Sequence, residues 1–231
     1  KGKPDGRGFS DLAMALGFSG YARASGEARW RDAAKETLLK VVRLYDLPDY
    51  YPAVGREYLG PKAALFPGAR VLAVWLRIIG TAASIVEDAS DPEVRDVLDR
   101  STAAVLDRHH NPDHGLTNEF LAHDLSRPAN VYSRLVHTGN AIETHRTLLS
   151  EAVRTRNRGL FDTAAARFRV HVEAAWDTVF GGVYRCLYDV ERNVWDLAKE
   201  LRAQEETLSG ALIIIEHTGE TWAKDLFGRT Y

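Results

Sequence analysis

The stretch 136–149 carries a polar pair, Asn140 and Glu143, among mostly apolar residues that read as one helix. Residues three apart lie on the same face of a helix, so the amide and the carboxylate are expected to point in one direction. Burying such a pair without partners costs free energy, and the pattern therefore indicates a polar cavity beside the helix. Thr138 and Asn140 are expected to cap the helix by accepting backbone N–H groups of its first turn.

Composition limits the classes of protein that fit. The chain has 231 residues with 30 basic and 32 acidic side chains, a formal net charge of −2. Without a basic run, it gives no reason to propose a nucleic acid or an anionic membrane as partner. No apolar run has membrane-spanning length and no secretory pattern opens the chain, so we expect a soluble, cytoplasmic protein. The single cysteine, Cys186, excludes an internal disulfide and is interpreted as a small buried residue rather than a nucleophile.

Breaks between helical segments recur at a regular distance along the chain. They fall at Gly26, Ser90, Arg156 and Gly219, which are 64, 66 and 63 residues apart. A helix is expected on either side of each break, and Asp91-Pro92 is expected to start one of them. This repeat predicts a series of helical hairpins, arranged either as an open solenoid or as a closed helical ring.

The two helices of each hairpin differ in character. The helix before each break, at 12–18, 71–79, 142–149 and 212–215, is apolar on nearly every side, whereas the following helix has one apolar stripe. A helix that is apolar all round needs cover on every side, as the inner ring of a toroid has. We therefore predict an all-α fold of the α/α-toroid type with short β-hairpin-like loops, formed by residues 1–231 as one incomplete domain. The aromatic connector 45–58 is interpreted either as a lid over the barrel mouth or as packing.

A series of short words, spread over the whole chain, has the order and spacing of one known family. The words are Tyr-Leu-Gly-Pro-Lys at 58–62, Ala-Leu-Phe-Pro at 64–67, Arg-Val-Leu-Ala-Val-Trp at 70–75, Arg-His-His-Asn-Pro at 108–112, Gly-Leu-Thr-Asn-Glu at 115–119, Gly-Asn-Ala-Ile-Glu at 139–143, Trp-Asp at 176–177 with Gly-Gly-Val at 181–183, Ala-Gln-Glu-Glu at 203–206, and Ile-Glu-His-Thr-Gly at 215–219. Together they resemble the N-acylglucosamine 2-epimerase family, whose relatives include cellobiose 2-epimerase and the mannose isomerases.

The resemblance implies a six-hairpin α/α barrel, which agrees with the repeat, and it implies that this chain is an interior piece of the family domain. Family members move a proton at C2 of a free sugar, or between C1 and C2, through an enediol-like intermediate. Two histidines serve as acid and base, a role that suits imidazole because its unperturbed pKa is near neutral pH. The implied activity is that of a sugar 2-epimerase or aldose–ketose isomerase, with a small-molecule sugar as partner and no cofactor.

The resemblance also implies a set of site residues. One family histidine belongs to a Gly-His-x-Ile-Glu word, and Asn140 stands at that position here, where it cannot act as a base. The residues matched to catalytic positions are Asn140, Glu143 and Glu206, and those matched to substrate binding are Arg70, Gln204 and His137. Glu143, Glu206 and Arg70 are each expected on an inner helix. His137 is interpreted either as a stand-in base or as a capping or exposed residue.

Two tryptophans of the family are replaced by arginines. Arg146 follows Glu143 by one turn, and Arg202 precedes the Gln-Glu-Glu word at 204–206. Because the aromatic residues of relatives pack in the cleft or stack on sugar, guanidinium groups at both positions change the expected character of the site.

A cluster of histidines and aspartates suggests a metal site at first sight. Its members are His109, His110, Asp113, His114, His123 and Asp124. Their spacing matches no zinc pattern, so no metal is expected.

Three interpretations of function stay open at this point. The first is a sugar epimerase or isomerase. The second is an impaired homologue that binds carbohydrate without moving the proton, and the third is a helical-repeat scaffold without a small-molecule site. An α/α-barrel glycosidase is less well supported, because it needs an acid and a second carboxylate at a defined separation. A homodimer is left open.

Overall fold

The computed structural model describes residues 8–50, 59–60, 62–88 and 90–231, most of which are helical. Residues 51–58, which form most of the connector interpreted as a lid, lie outside the described residues, and so do residues 1–7. Two compact units divide the chain. The first comprises residues up to 108 together with 120–128, and the second comprises 109–119 together with 129–231. The prediction of a single domain stays a prediction.

The described elements are α-helices, which are arranged as hairpins, and short strands that form two-stranded ladders. In chain order they are α1 (Phe9–Ser25), α2 (Ala28–Tyr45), β1 (Arg70–Val71), α3 (Leu72–Asp88), α4 (Pro92–Ala103), a π-helical segment (Ala104–His109), β2 (His110–Asn111), β3 (Leu116–Thr117), β4 (Phe120–Leu121), a 3₁₀ turn (Val131–Arg134), α5 (Thr138–Thr155), α6 (Arg158–Ala175), β5 (Cys186–Asp189), β6 (Val194–Asp196), α7 (Leu201–Thr218) and α8 (Thr221–Thr230).

Each unit contains two helical hairpins that pack through their first helices. In the first unit, α1 pairs with α2, α3 pairs with α4, and α1 contacts α3. In the second unit, α5 pairs with α6, α7 pairs with α8, and α5 contacts α7. The strands form three antiparallel ladders, in which β1 pairs with β4, β2 with β3, and β5 with β6.

The predicted breaks are confirmed, since each falls between the two helices of a hairpin. Gly26 and Gly219 end α1 and α7 in the left-handed region, with φ values of 72° and 71°. Arg156 ends α5 in the same conformation, with φ 54°. Asp91 caps α4 through its side chain, and Pro92 is the first residue of that helix. A Gly in this position avoids the steric penalty of a Cβ atom, which Arg156 does not.

The predicted apolar stripes of the second helices are also confirmed. The buried stripe residues are Ala34, Leu38, Val41 and Tyr45 in α2, Val94, Val97 and Leu98 in α4 with Val105 after it, and Ala164, Phe168 and Val172 in α6. The helix period places these side chains on one face of each helix, which is the buried face of an amphipathic helix.

Two expectations about the first helices are wrong. Arg70 lies in the short strand β1, not in an inner helix, because α3 begins only at Leu72. The first helices are also not covered on every side, since Met14 and Leu16 in α1 and Leu212 in α7 are exposed. No helix in the described part of the chain is both long and apolar enough to cross a bilayer.

Candidate functional site

The start of α5 is fixed by the strand ladder that precedes α7. Val136 and Leu187 exchange both backbone hydrogen bonds, at 2.9 and 2.8 Å, and the Thr138 hydroxyl donates to the carbonyl of Tyr184 at 2.5 Å. Leu116, Val136 and Leu187 form a small apolar cluster beneath this contact. The first turn of α5 is therefore held by its neighbours on several sides, and residues 138 to 145 are all buried.

His137 caps α5, which corrects the expectation that Thr138 and Asn140 do so. Its Nδ1 accepts the backbone N–H of Asn140 at 3.1 Å. Burial, together with the positive charges of Arg185 and Arg202, lowers the pKa of His137 to about 4. The imidazole is therefore neutral at pH 7, which is the state in which Nδ1 can accept a hydrogen bond. Its role as a cap is confirmed, and its role in substrate binding stays a prediction.

Asn140 is bonded through its side chain to a second buried residue, Glu119. The Nδ2 group of Asn140 donates to Oε1 of Glu119 at 3.1 Å, and Glu119 is fully buried. Glu119 follows strand β3, and its backbone N–H donates to the carbonyl of Leu135 at 3.0 Å. Asn140 is thus one end of a buried polar contact between the β2–β3 hairpin and α5.

The two predicted carboxylates, Glu143 and Glu206, lie on the helices α5 and α7 that contact each other. Glu143 is almost fully buried, and its Oε2 forms an ion pair with Arg202 of α7. Glu206, which is half-buried, forms an ion pair with Arg146 of α5, with 2.6 Å between Oε2 and Nε. Each helix therefore supplies one carboxylate and one guanidinium to a crossed pair. Arg146 and Arg202, the two arginines that the sequence resemblance matched to tryptophan positions, are thus the partners of the two carboxylates.

Gln204 lies on the same helix as Glu206, but its amide is bonded to backbone. Its Oε1 accepts the N–H of Val183 at 2.8 Å, and its Nε2 donates to the carbonyl of Val183 at 2.9 Å. Gly182 adopts φ 77°, and a Cβ atom there would lie 2.9 Å from the Gln204 Oε1. Gln204 therefore anchors the turn before β5, and substrate binding by its amide stays a prediction.

Arg70 belongs to the first unit, where its guanidinium has several partners. Nη1 donates to the carbonyl of Gly68 at 3.0 Å and Nη2 to that of Leu47 at 3.1 Å, while His123 Nδ1 lies 2.5 Å from Nη2. The group also stacks over the Tyr45 ring at 5.0 Å from its centroid. These contacts hold β1 and the segment around Gly68, and a substrate contact by Arg70 stays a prediction.

Three further histidines of the second unit form buried hydrogen bonds around strand β3. His171 Nε2 accepts the backbone N–H of Thr117 at 2.8 Å, and His145 Nε2 lies 3.0 Å from the Thr117 hydroxyl. His109 Nδ1 lies 2.8 Å from the carbonyl of Asn118. Burial lowers the pKa of His109 and of His171 to about 4, and it lowers that of His145 well below its usual value. These histidines are therefore neutral at pH 7, and in this form they make hydrogen bonds that hold the β2–β3 hairpin.

Three of the six residues that suggested a metal site form hydrogen bonds within the protein. His109 bonds Asn118, His123 bonds Arg70, and Asp124 accepts from Ser126 at 2.6 Å. Across the described residues, no three histidine, cysteine or carboxylate side chains converge in a way that could hold a metal ion. Cys186 is fully buried in β5, as expected, and burial raises the pKa of its thiol.

Sequence reasoning missed Glu119 as a site residue, although the word that ends in it, Gly-Leu-Thr-Asn-Glu at 115–119, contributed to the resemblance. Glu119 stands in a short polar stretch between the apolar residues Leu116 and Phe120, so its burial could have been predicted. Its partner Asn140 could not be named. The partner depends on how the β2–β3 hairpin returns to α5.

The helical hairpins place the chain in the α/α-toroid class of folds, and comparison with solved structures confirms this prediction. A sugar epimerase from a ruminal bacterium superimposes with a TM-score of 0.75 over 97% of this chain and 58% of its own, at 16% sequence identity. Cellobiose 2-epimerase from Bacillus thermoamylovorans B4167 gives a TM-score of 0.78 over 96% of this chain and 58% of its own, at 10% identity. The chain therefore spans somewhat more than half the length of these proteins.

The same fold also occurs in a glycosidase. The GH76 α-mannanase of Bacteroides thetaiotaomicron superimposes with a TM-score of 0.67 over 98% of this chain and 59% of its own, at 12% identity. No protein-family model matches the chain, and no curated protein sequence does. Because one fold supports different reactions, the likeness establishes architecture, and the function has to be argued from the site.

Proposed function

We propose that this chain is part of a sugar 2-epimerase or aldose–ketose isomerase of the N-acylglucosamine 2-epimerase type, with a free sugar bound at the contact of α5 and α7. The observation that supports this most is the crossed pair of Glu143 with Arg202 and Glu206 with Arg146. Two carboxylates and two guanidinium groups provide both acceptors and donors, which is what the hydroxyl groups of a sugar require.

The crossed pair suits an uncharged ligand better than an anionic one. Each guanidinium is matched by a carboxylate, so the four side chains carry no net charge. Each side chain is also held by its partner from the other helix, which limits its freedom before a ligand binds. Hydrogen bonds between neutral hydroxyls and charged groups are stronger than those between neutral groups, so such a site gains affinity without a charged substrate.

The proposed reaction starts from the open-chain sugar. A base removes the proton from C2, the C–H electron pair forms the C1–C2 double bond, and the carbonyl oxygen at C1 takes up a proton to give the enediol. For the epimer, the O1 hydroxyl gives up its proton to re-form the C1 carbonyl, and C2 receives a proton on the opposite face. For the ketose, the O2 hydroxyl gives up its proton to form the C2 carbonyl, and C1 receives the proton. Asn140 contributes a hydrogen bond and no proton, so the base in this proposal is a residue other than Asn140.

The alternative proposal is a barrel that binds carbohydrate without moving the C2 proton. Asn140 favours it, because its amide is bonded to Glu119 in the place where the resembled family carries an imidazole. His137 does not replace that imidazole in its observed state, since its Nδ1 caps α5. Binding would then depend on Glu143 and Glu206 as in the first proposal.

The experiment that separates these proposals is exchange of the C2 proton with deuterated solvent, followed by NMR. Mannose, glucose, N-acetylmannosamine and cellobiose are offered to the intact protein, with its Asn140→His and Glu206→Gln variants measured in parallel. Exchange in the wild-type protein that falls in Glu206→Gln supports the enzyme. Exchange only in Asn140→His, with sugar bound by the wild type in calorimetry, supports the binding protein.

A matched control is available on the surface of the same unit. Arg158 and Asp162 form an exposed ion pair one turn apart on α6. Asp162→Asn should leave both exchange and binding unchanged. If no sugar binds and none exchanges in any variant, both proposals are contradicted and the scaffold interpretation is left.

A further inference from the structure

Glu119 is held rigidly behind the first turn of α5. Its backbone N–H donates to the carbonyl of Leu135 at 3.0 Å, and the preceding residue, Asn118, bonds His109 through its backbone N–H at 2.8 Å. The side chain is fully buried, so its position is set by the surrounding packing and not by solvent. A buried carboxylate in such a place needs a donor, and Asn140 provides one from α5.

The contact gives the Asn140 amide a direction. Because Nδ2 of Asn140 donates to Oε1 of Glu119, the Nδ2 side of the amide faces Glu119. The Oδ1 atom consequently points away from Glu119 and is left as an acceptor, with no donor to it among the described residues. Asn140 keeps a small exposed fraction of 7%, whereas Glu119 has none. A ligand can therefore reach Asn140 but not Glu119.

We infer that Glu119 is a positioning residue that fixes Asn140 as a hydrogen-bond acceptor for a hydroxyl group of the bound sugar. This inference rests on the proposed function, because it requires a sugar beside α5. It assigns a distinct task to the asparagine at this position. The amide recognises a donor on the ligand, and the buried carboxylate sets which side of the amide the ligand meets.

The inference predicts that the donor and the acceptor of this hydrogen bond can be exchanged between positions 119 and 140 without loss of sugar recognition. In Asn140→Ala, the acceptor is removed, and sugar binding should weaken by about tenfold or more. In the double variant Glu119→Gln with Asn140→Asp, the new Gln amide donates to the new Asp carboxylate, and the second carboxylate oxygen is again presented to the ligand. Affinity should return to within about threefold of the wild-type value.

The test uses calorimetric titration of the intact protein with the sugar that binds best in the panel above. Each variant is first checked by circular dichroism, and binding is measured at a temperature where all of them are folded. If the double variant binds as weakly as Asn140→Ala, or if Asn140→Ala binds like the wild type, the inference is overturned. Glu119→Gln alone should bind more weakly than the wild type, because a Gln amide can pair with either side of the Asn140 amide and no longer fixes its direction.

A second measurement separates recognition from stability. Analogues of that sugar that lack a single hydroxyl group are compared between the wild type and Asn140→Ala. One analogue should lose about tenfold in affinity for the wild type and show no further loss for the variant, because the hydroxyl it lacks is the partner of Oδ1. A purely structural role of Asn140 would weaken every analogue equally, which contradicts the inference.

The failure of this inference can be told from failure of the proposed function. If the wild type binds no sugar of the panel, the proposed function fails. The contact itself is then tested by NMR of the Asn140 side-chain amide, whose two N–H signals should exchange slowly with solvent in the wild type and rapidly in Glu119→Leu. Equal exchange in both proteins overturns the positioning role even without a ligand.

Discussion

Arg202 of α7 forms an ion pair with Glu143 of α5, and Glu143 is the most buried member of the four-residue crossed pair. Arg202 itself is about half exposed, with 48% of its side-chain surface accessible. The pair thus joins a buried carboxylate to a guanidinium at the protein surface. Loss of the guanidinium would leave the carboxylate buried without its charged partner, which is costlier than losing a surface pair.

The first prediction follows from this asymmetry. Arg202→Met should lower the free energy of unfolding by about 2 to 3 kcal/mol, because the hydrogen bonds to a buried charge are lost. Arg146→Met should cost only about 1 kcal/mol, since both Arg146 and Glu206 are partly exposed. Urea unfolding followed by circular dichroism measures both values.

The control for this prediction is Arg158→Met, which breaks the exposed pair with Asp162 and should change stability by no more than about 0.5 kcal/mol. If Arg202→Met lowers the free energy of unfolding by no more than this control does, Arg202 does not stabilise the ionised form of Glu143. The crossed pair would then add little to the stability of the contact between α5 and α7.

The second prediction concerns pH. His109, His137 and His171 have pKa values lowered to about 4 by burial, against about 6.5 in an unfolded chain. The unfolded state therefore binds more protons than the folded state between these values, and stability is fully present above about pH 6.5 and is lost as the pH falls toward 4. Each histidine contributes at most about 1.4 kcal/mol per pH unit to the slope.

Urea unfolding at a series of pH values from about 7.5 to 5 measures this slope. His171→Asn should reduce it by about the share of one histidine, even though the variant is less stable throughout. Phe168→Leu is the matched control, because it destabilises the same helix without removing an ionisable group and should leave the slope unchanged. A slope that is the same in all three proteins would show that burial of His171 does not suppress its protonation.

The breaks and stripes of the fold could be predicted because their signals are local. Gly26 and Gly219 are recognisable helix ends, Asp91-Pro92 is a recognisable helix start, and the stripes follow the helix period. The cap of α5 could not be predicted by the same rules. His137 is not among the residues preferred at a cap, whereas Thr138 and Asn140 are, yet burial keeps the imidazole neutral and able to accept.

The partners of the site residues could not be predicted, because they depend on packing between distant segments. Arg146 and Glu206 are 60 residues apart, and their pairing follows from the contact of α5 with α7. The sequence marked Arg146 and Arg202 only as departures from a family pattern. Their proximity to the two carboxylates, which gives those departures a physical meaning, is visible only in three dimensions.

The third prediction concerns the single cysteine. Cys186 is fully buried in β5, its Sγ lies 3.5 Å from the carbonyl of Val136, and burial raises the pKa of its thiol. Because the thiolate is the reactive form, the thiol should react with a disulfide reagent only after unfolding. The reaction is followed by the absorbance of the thiol that the reagent releases, in native buffer and in urea. Rapid labelling of the folded protein would contradict the observed burial.

The last prediction concerns Arg156, the non-glycine residue that ends α5 in the left-handed region with φ 54°. Gly26 and Gly219 occupy the corresponding places in two other hairpins. A Cβ atom in this conformation costs about 1 kcal/mol, so Arg156→Gly should raise the free energy of unfolding by about that amount, or the Tm by about 2 to 4 °C.

Gly219→Arg is the reciprocal control for Arg156→Gly and should lower stability by a similar amount, because it introduces the same strain at the end of α7. Nothing lies within 4 Å of a Cβ atom built at Gly219, so a clash would not explain the loss. Calorimetric melting of both variants at the same pH gives the comparison. If Arg156→Gly destabilises the protein, the Arg156 side chain makes a contribution larger than its backbone strain.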